Sequence, residues 1–443
     1  MARSPASQTA GTQDSSLSVS ASHASWAWEL AGQLLQPPAS CVQHCAADSL
    51  GAKEVPPFAA LLAQLPALAG GQDALVLPDP ALAGGLLQWL DPLATGSCSA
   101  DREQLRQAAD RLRQQLVGNT VTYVVNRNIN LSNHCVKHCS FCAFRRDPGD
   151  PGAFWHSREA LQRKASEAQQ LGASELCVQG GLNPAAQLNG SHLAYAEQLL
   201  HDLQAAAPGI HLHAFSPQEL LYIAECDGLP LVVVLQRLRD AGLGSVPGTA
   251  AEVLSEPLRR QLCPQKLSAR AWVAVMLEVH ALGIPATSTL MAGHIERPAD
   301  RAAHLLTLLR LQRHAQEQGL PGFSEFVLLP FVGLHAPAAL RQRVGRDQPD
   351  LQAMLLLTAM ARLVLGPWIR HHQPSWVKLG LDGATEALRW GADDLGGTLM
   401  EEHITSMAGA SGGTNQNPAD LEAAAARAGR PVRRRTTTYG LCR

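Results

Sequence analysis

Three cysteines, Cys135, Cys139 and Cys142, crowd into the segment NRNINLSNHCVKHCSFCAF with the spacing C-x3-C-x2-C. Thiolates this close on one loop can wrap a face of an iron–sulfur cubane. Most such clusters take four thiolates, so a set of three leaves one iron without a protein ligand. An open coordination position is what separates catalytic from structural metal sites. The spacing therefore predicts a cluster that binds and activates something. Phe141, next to the last cysteine, is an apolar residue where the loop must shield its cluster from water. The alternative is zinc, with His134 or His138 as fourth ligand. Structural zinc draws paired ligands from two separate places, and no second C-x2-C element occurs.

The loop directly follows a β-rich run, VTYVVNRNIN over 121–130, which opens a regular alternation of short strands and helical stretches. Further candidate strands lie at 175–180, 210–216, 242–246, 284–291, 325–331, 375–381 and 393–398. Eight such segments with helical connections predict an α/β fold, a (β/α)8 TIM-type barrel, with an open doubly wound sheet as the rival. In a barrel, chemistry gathers where the strands end. Period-two alternation then selects inward faces: Asn126, Asn128 and Asn130 on strand one, His211 and His213 on strand three, Thr287 and Thr289 on strand five. His294 follows strand five, Lys378 falls on strand seven, and Gly396 and Gly397 sit at strand eight. A row of amides in a barrel core is costly without polar partners, so Asn128, Asn130, His294 and Lys378 are candidate substrate-binding residues, and His213 and Thr287 candidate catalytic ones. Ser216 to Glu219, Thr249 to Glu252 and Thr398 to Glu401 each match the capping box, which predicts helix starts.

Of the 443 residues 46% are apolar and 17% charged, and the formal net charge is −2. Nothing in that balance argues for nucleic-acid binding. No stretch approaches the roughly 18 to 20 continuous apolar residues that cross a bilayer. The first two dozen residues lack the apolar core of a secretory signal, so a cytoplasmic protein is expected, with a plastid-type transit peptide as the lesser alternative. Ten cysteines with only one cluster point to metal or redox work rather than a disulfide framework. The organisation expected is a disordered extension over 1–25, a helical region over 26–118, the barrel over 119–400, and a helical segment and tail over 401–443. Within the second region Leu105, Ala108, Ala109, Leu112 and Leu116 recur at three- and four-residue steps.

The cysteine spacing and the aromatic before Cys142 resemble the radical S-adenosylmethionine (SAM) superfamily. The longer run NRNINLSNHCVKHCSFCAF, with CVQGGLNP, HAFSP, GLGSVPGTAAEVL, MAGH, FVLLPF and SWVKLGL…GADDLGGTLMEEHI, resembles the CofH family, FO synthase subunit 2, from about residue 119 to 410. That resemblance implies one 4Fe-4S cluster on the three cysteines with exchangeable SAM at the free iron. Gly180 and Gly181 resemble the segment that holds the amino end of SAM. The implied reaction starts with a deoxyadenosyl radical that abstracts hydrogen from L-tyrosine. Its Cα–Cβ bond breaks, and the 4-hydroxybenzyl fragment adds to 5-amino-6-(D-ribitylamino)uracil. The implied partners are FO synthase subunit 1 as a separate chain, since only one cysteine motif occurs here, and an electron donor such as flavodoxin or ferredoxin. Related enzymes of menaquinone precursor synthesis or tyrosine cleavage, and a non-catalytic iron–sulfur or zinc scaffold, are the alternatives.

Overall fold

The computed structural model describes residues 22–36, 58–63, 85–86 and 99–442. Most of the extension expected to be disordered, and much of the helical region after it, lies outside these residues. Nine strands are described: β1 Val121–Val124, β2 Asn126–Asn130, β3 Glu175–Gln179, β4 His211–Ala214, β5 Ala286–Ala292, β6 Phe323–Pro330, β7 His371–Pro374, β8 Asp394–Gly397 and β9 Val432–Arg434. They form three parallel ribbons, β8-β1-β9, β2-β3-β4 and β5-β6-β7. Single parallel bridges join them into a ring: Arg127 with Met400, His213 with Ser245, and Val246 with Ala286. Between β7 and β8 the Asp393 amide donates to the His372 carbonyl at 3.1 Å. The result is a parallel barrel wrapped by helices, as expected.

Two strands differ from expectation. The fourth is reduced to the bridges at Ser245 and Val246, because GLGSV holds two glycines and too little side chain to support a longer ladder. The seventh is His371–Pro374; SWVKLGL instead opens the helix Trp376–Ala387. Gly380, at φ 70° inside that helix, breaks its regular course, which hid the helical period. Lys378 therefore stands on a helix rather than on strand seven.

Helix starts follow local chemistry. Ser216 accepts from the Glu219 amide while Glu219 accepts from the Ser216 amide, the reciprocal pair expected from the sequence. The other two capping-box matches start no helix. Thr249 donates to Gln179 Oε1 at 3.0 Å and Thr398 to the Asn126 carbonyl at 2.7 Å, so each hydroxyl ties a loop to the barrel. Glu252, Leu399 and Glu401 have positive φ, which a helix does not admit.

Both ends of the described chain pack onto the barrel. Helix Ser25–Leu35 lies on helix Ala269–Ala281, where His23 Nδ1 sits 2.9 Å from Glu278 and the Arg270 guanidinium stacks 4.4 Å from the Trp28 ring. At the other end, β9 pairs in parallel with β1, Val121 opposite Val432 and Tyr123 opposite Arg434. Just beyond it Arg435 turns inward. Its guanidinium meets Asp394 at 2.5 and 2.9 Å and Glu325 at 3.3 Å, and stacks 4.0 Å from the Tyr439 ring. Tyr439 in turn donates to Glu325. The tail thus closes the floor of the barrel.

Candidate active site

The cysteine loop leaves β2 without regular structure and is fastened from three sides. The Val136 amide donates to the Leu182 carbonyl at 3.1 Å, the Ser140 amide and hydroxyl both donate to the Leu262 carbonyl at 3.0 and 2.7 Å, and Arg145 donates to the Cys135 carbonyl at 3.2 Å. Cys135, Cys139 and Cys142 all face a cavity of about 400 Å³ inside the barrel. Burial pushes the Cys139 thiol up to about 12, against the pull of the Lys266 ammonium. A thiol so placed stays protonated until a metal replaces its proton. Phe141 packs against the core with the Lys266 ammonium 5.4 Å from its ring centre, so the loop has its apolar cover.

Gly180 and Gly181 lie directly under this loop. A Cβ on Gly181 would stand 2.2 Å from the His134 carbonyl oxygen and 3.0 Å from Cys135 Cβ, and one on Gly180 would stand 2.8 Å from Leu131 Cγ. No side chain fits between them. Their amides are spent within the protein, Gly180 on Glu219 at 3.0 Å and Gly181 on the Ser132 carbonyl at 2.7 Å. The carbonyls remain as what this pair offers a ligand, which suits a positively charged amino group.

The donor set bears on the choice between zinc and a cubane. Zinc needs its ligands gathered about one point, and among the described residues no three His, Cys, Asp or Glu side chains converge in that way. His138 Nε2 sits 3.2 Å from the Arg145 guanidinium, an arrangement at odds with a metal ligand. A cubane takes each thiolate on a different iron, and the three cysteines on one loop, all lining the cavity, supply that set.

Below the loop the cavity sets a group of polar side chains into a largely apolar lining. Asn126, Asn128, His213, Thr287, Thr289 and Lys378 line it, as the alternation of the strands implied for all but the last. Asn128 keeps a buried amide oxygen without a partner among the described residues. His213 accepts or shares a proton with Ser245 Oγ at 2.7 Å, and burial drives its pKa down to about 4 against the charge of Glu175. Its imidazole is neutral at physiological pH. The Thr287 hydroxyl accepts from the Gly248 amide at 2.8 Å, and among the described residues its own O–H has no acceptor. Asn130 and His294 do not line the cavity. Asn130 donates to the Gln179 carbonyl at 3.3 Å. His294 folds back into the turn after β5, 3.1 Å from both Glu296 and the Met291 carbonyl. Gly293, at φ 89°, turns the chain away before His294 is reached, which strand alternation does not register.

Several charged groups of the site escaped sequence reasoning. Lys266 and Glu252 form an ion pair at 2.5 Å in the cavity wall near the cluster loop. Burial raises Glu252 in itself, but Lys266 above all, with Arg259 and Lys378, holds it below the usual carboxylate range. Glu325 goes up to about 7 through burial, with Arg435 opposing and Asp394 assisting. Glu175 and Glu219 also face the cavity. These residues sit on different elements, and no local pattern joins them; only the capping role of Glu219 was visible.

A parallel barrel with three loop thiols at one end of its cavity is the arrangement of radical SAM enzymes, and the radical SAM superfamily model matches residues 129–309. The CofH/MqnC C-terminal region matches residues 321–442. The 5-amino-6-(D-ribitylamino)uracil–L-tyrosine 4-hydroxyphenyl transferase of Cyanothece sp. is 56% identical, covering 80% of this chain and 92% of its own. That of Gloeobacter violaceus is 57% identical over 77% and 86% of the two chains. The chain belongs to this CofH family of radical SAM transferases. Among solved structures, methylornithine synthase PylB matches with a TM-score of 0.60 at 16% identity, over 78% of this chain and 93% of that one. HydG, a maturase of FeFe-hydrogenase, matches with a TM-score of 0.63 at 13% identity, over 90% and 80%. Both share the fold. Membership of the superfamily implies a 4Fe-4S cluster and SAM.

Proposed function

We propose that this enzyme transfers the 4-hydroxybenzyl group of L-tyrosine to 5-amino-6-(D-ribitylamino)uracil in the biosynthesis of the deazaflavin FO. The observation that carries the reading is the loop of three thiols pressed onto Gly180 and Gly181 at one end of a barrel cavity lined by both apolar and polar side chains. Relatives above half identity bear this activity in their names.

In this reading Cys135, Cys139 and Cys142 hold the cluster, and Gly180 and Gly181 offer carbonyls to the amino end of SAM. Cluster and SAM together, when bound, supply the radical that abstracts hydrogen from tyrosine. The protein's own share is position and exclusion. A barrel closed at its floor by the tail keeps water from a reactive intermediate, and holding both substrates in one cavity makes their coupling effectively unimolecular. Asn128, with its unspent amide oxygen, suits the hydroxyls of a ribityl chain or the ring N–H groups of a pyrimidine. His213, kept neutral, is suited to accept a proton from substrate. The hydroxyl of Thr287 and the ammonium of Lys378 complete the contacts proposed, while Asn130 and His294 act only through the residues they support.

The barrel is taken as residues 119–400, with the tail as its floor. The ring-closing enzyme of the pathway, FO synthase subunit 1, is a separate chain, and a flavodoxin or ferredoxin delivers the electron. No described helix is long and apolar enough to cross a membrane, and the proposed setting is the cytoplasm.

Anaerobically reconstituted protein given reductant, SAM, L-tyrosine and the ribitylaminouracil should yield 5′-deoxyadenosine and a benzylated uracil adduct. Deoxyadenosine without adduct would refute the substrate assignment and spare the superfamily.

A further inference from the structure

Resting on the reading that tyrosine is a substrate, we infer that Lys378 and Glu252 clamp its zwitterionic head, the ammonium of Lys378 on the α-carboxylate and the carboxylate of Glu252 on the α-ammonium.

A free amino acid brings both charges into the cavity, and each must meet an opposite charge or hydrogen bonds to offset its lost hydration. The cavity holds five cations. Arg435 is spent on Asp394, Lys266 on Glu252, and Arg145 on Asp147 and the Cys135 carbonyl. Lys137, without a hydrogen bond or ion pair among the described residues, rides on the cysteine loop itself between Cys135 and Cys139. Lys378 lies off that loop. It lines the cavity from the first turn of helix Trp376–Ala387, and among the described residues its ammonium likewise has neither a hydrogen bond nor an ion pair.

Glu402 and Glu252 line the same cavity and are the carboxylates whose charge acts on it. Glu402 is occupied, since its two oxygens accept from the Thr405 amide at 2.7 Å and the Ser406 amide at 3.0 Å. Glu252 gives Oε1 to Lys266 and keeps Oε2 without a hydrogen bond among the described residues. Its backbone is held at φ 44°, where the Met291 amide donates to its carbonyl at 2.8 Å. A non-glycine residue held there costs energy and marks a place where side-chain direction matters. An unspent cation and an unspent carboxylate oxygen thus face one space.

That space lies on the correct side for the chemistry. Lys266, the other partner of Glu252, lines the cavity together with Cys139 and sits 5.4 Å from the Phe141 ring centre. The bond to be broken is Cα–Cβ, so the amino-acid head has to lie toward the cluster loop, with the phenol pointing down to the polar floor. A clamp at Lys378 and Glu252 holds the head there.

Lys378→Met and Lys378→Arg in the reconstituted full chain test this. Losing a charge-assisted contact should raise the KM for tyrosine about 10- to 100-fold in Lys378→Met, and Lys378→Arg should recover part of it. The KM for SAM should stay within about twofold, since the contact is assigned to the substrate. A tyrosine KM unchanged in Lys378→Met overturns the clamp. So does a rise in the SAM KM alone, which would place the lysine on the cofactor's carboxylate. Should Lys378→Met fail to take up iron, wild-type enzyme decides. In it, 3-(4-hydroxyphenyl)propanoate, which keeps the carboxylate, should inhibit at least about tenfold better than 4-ethylphenol, which has none; equal inhibition overturns the clamp. A wild-type holoenzyme that makes no adduct defeats the proposed function itself, whereas adduct formation with an indifferent Lys378→Met defeats the clamp alone.

Discussion

Two positions, one in the cluster loop and one pressed against it, give the sharpest expectations at the scale of single residues. Cys139→Ala removes one of three sulfur ligands, and iron bound after anaerobic reconstitution should fall to a small fraction of the wild-type value, with both products lost; retained turnover would rule out its cluster role. Gly181→Ala adds one methyl where the His134 carbonyl already stands 2.2 Å away. The loop must move to admit it, so activity should fall at least about tenfold, as a misplacement near 1 Å does, measured as deoxyadenosine released per cluster. The cysteines were legible because their signal is local spacing, and the histidine and threonine of the inner strands because alternation is local too. Glu252 and Lys266 were not, since their pairing depends on how a loop returns to the barrel wall. His294 was misread as a cavity residue for the same reason, the turn at Gly293 being invisible to strand periodicity.

Among elements, the tail matters most. Sequence reading treated 401–443 as an appendage, yet β9 adds a strand beside β1, and Arg435 neutralises Asp394 and Glu325 in the floor. A three-residue strand carries too little periodicity to announce itself, and a buried arginine is rare enough that the run Arg433–Arg435 looks like solvent-facing charge. Arg435→Met leaves two buried carboxylates uncompensated and should destabilise the protein by about 3–5 kcal/mol, measured as a fall in the urea midpoint; a loss below about 1 kcal/mol, the range of exposed pairs, would contradict the closed floor. The strands at 175–180, 284–291 and 325–331 were legible from their apolar, β-branched composition. The seventh was not, because HHQP is polar, short and ends in proline, while the helix after it begins with the bulky Trp376 and Val377.

At the scale of the whole molecule, buried imidazoles set the response to acid. Burial drives His213 down to about 4 and His280 and His304 to about 3, and puts His372 well below its ordinary value. Between about pH 6.5, where an unfolded histidine titrates, and these lowered values the unfolded chain binds more protons than the folded one. Stability is therefore complete above that range and is lost as pH falls through it. The urea midpoint of the anaerobic holoenzyme should be flat from pH 7 to 8 and drop steadily toward pH 5; a midpoint that rises on acidification would contradict the burial of these side chains.

The central claim is that three thiolates hold a cubane whose fourth iron is free for SAM. Electron paramagnetic resonance of the reduced, reconstituted protein tests it most directly. The signal of a single 4Fe-4S cluster should appear and should change when SAM is added, with hyperfine coupling from SAM labelled at its amino nitrogen. A cluster signal indifferent to SAM, or a protein that binds zinc and no iron, would contradict the account.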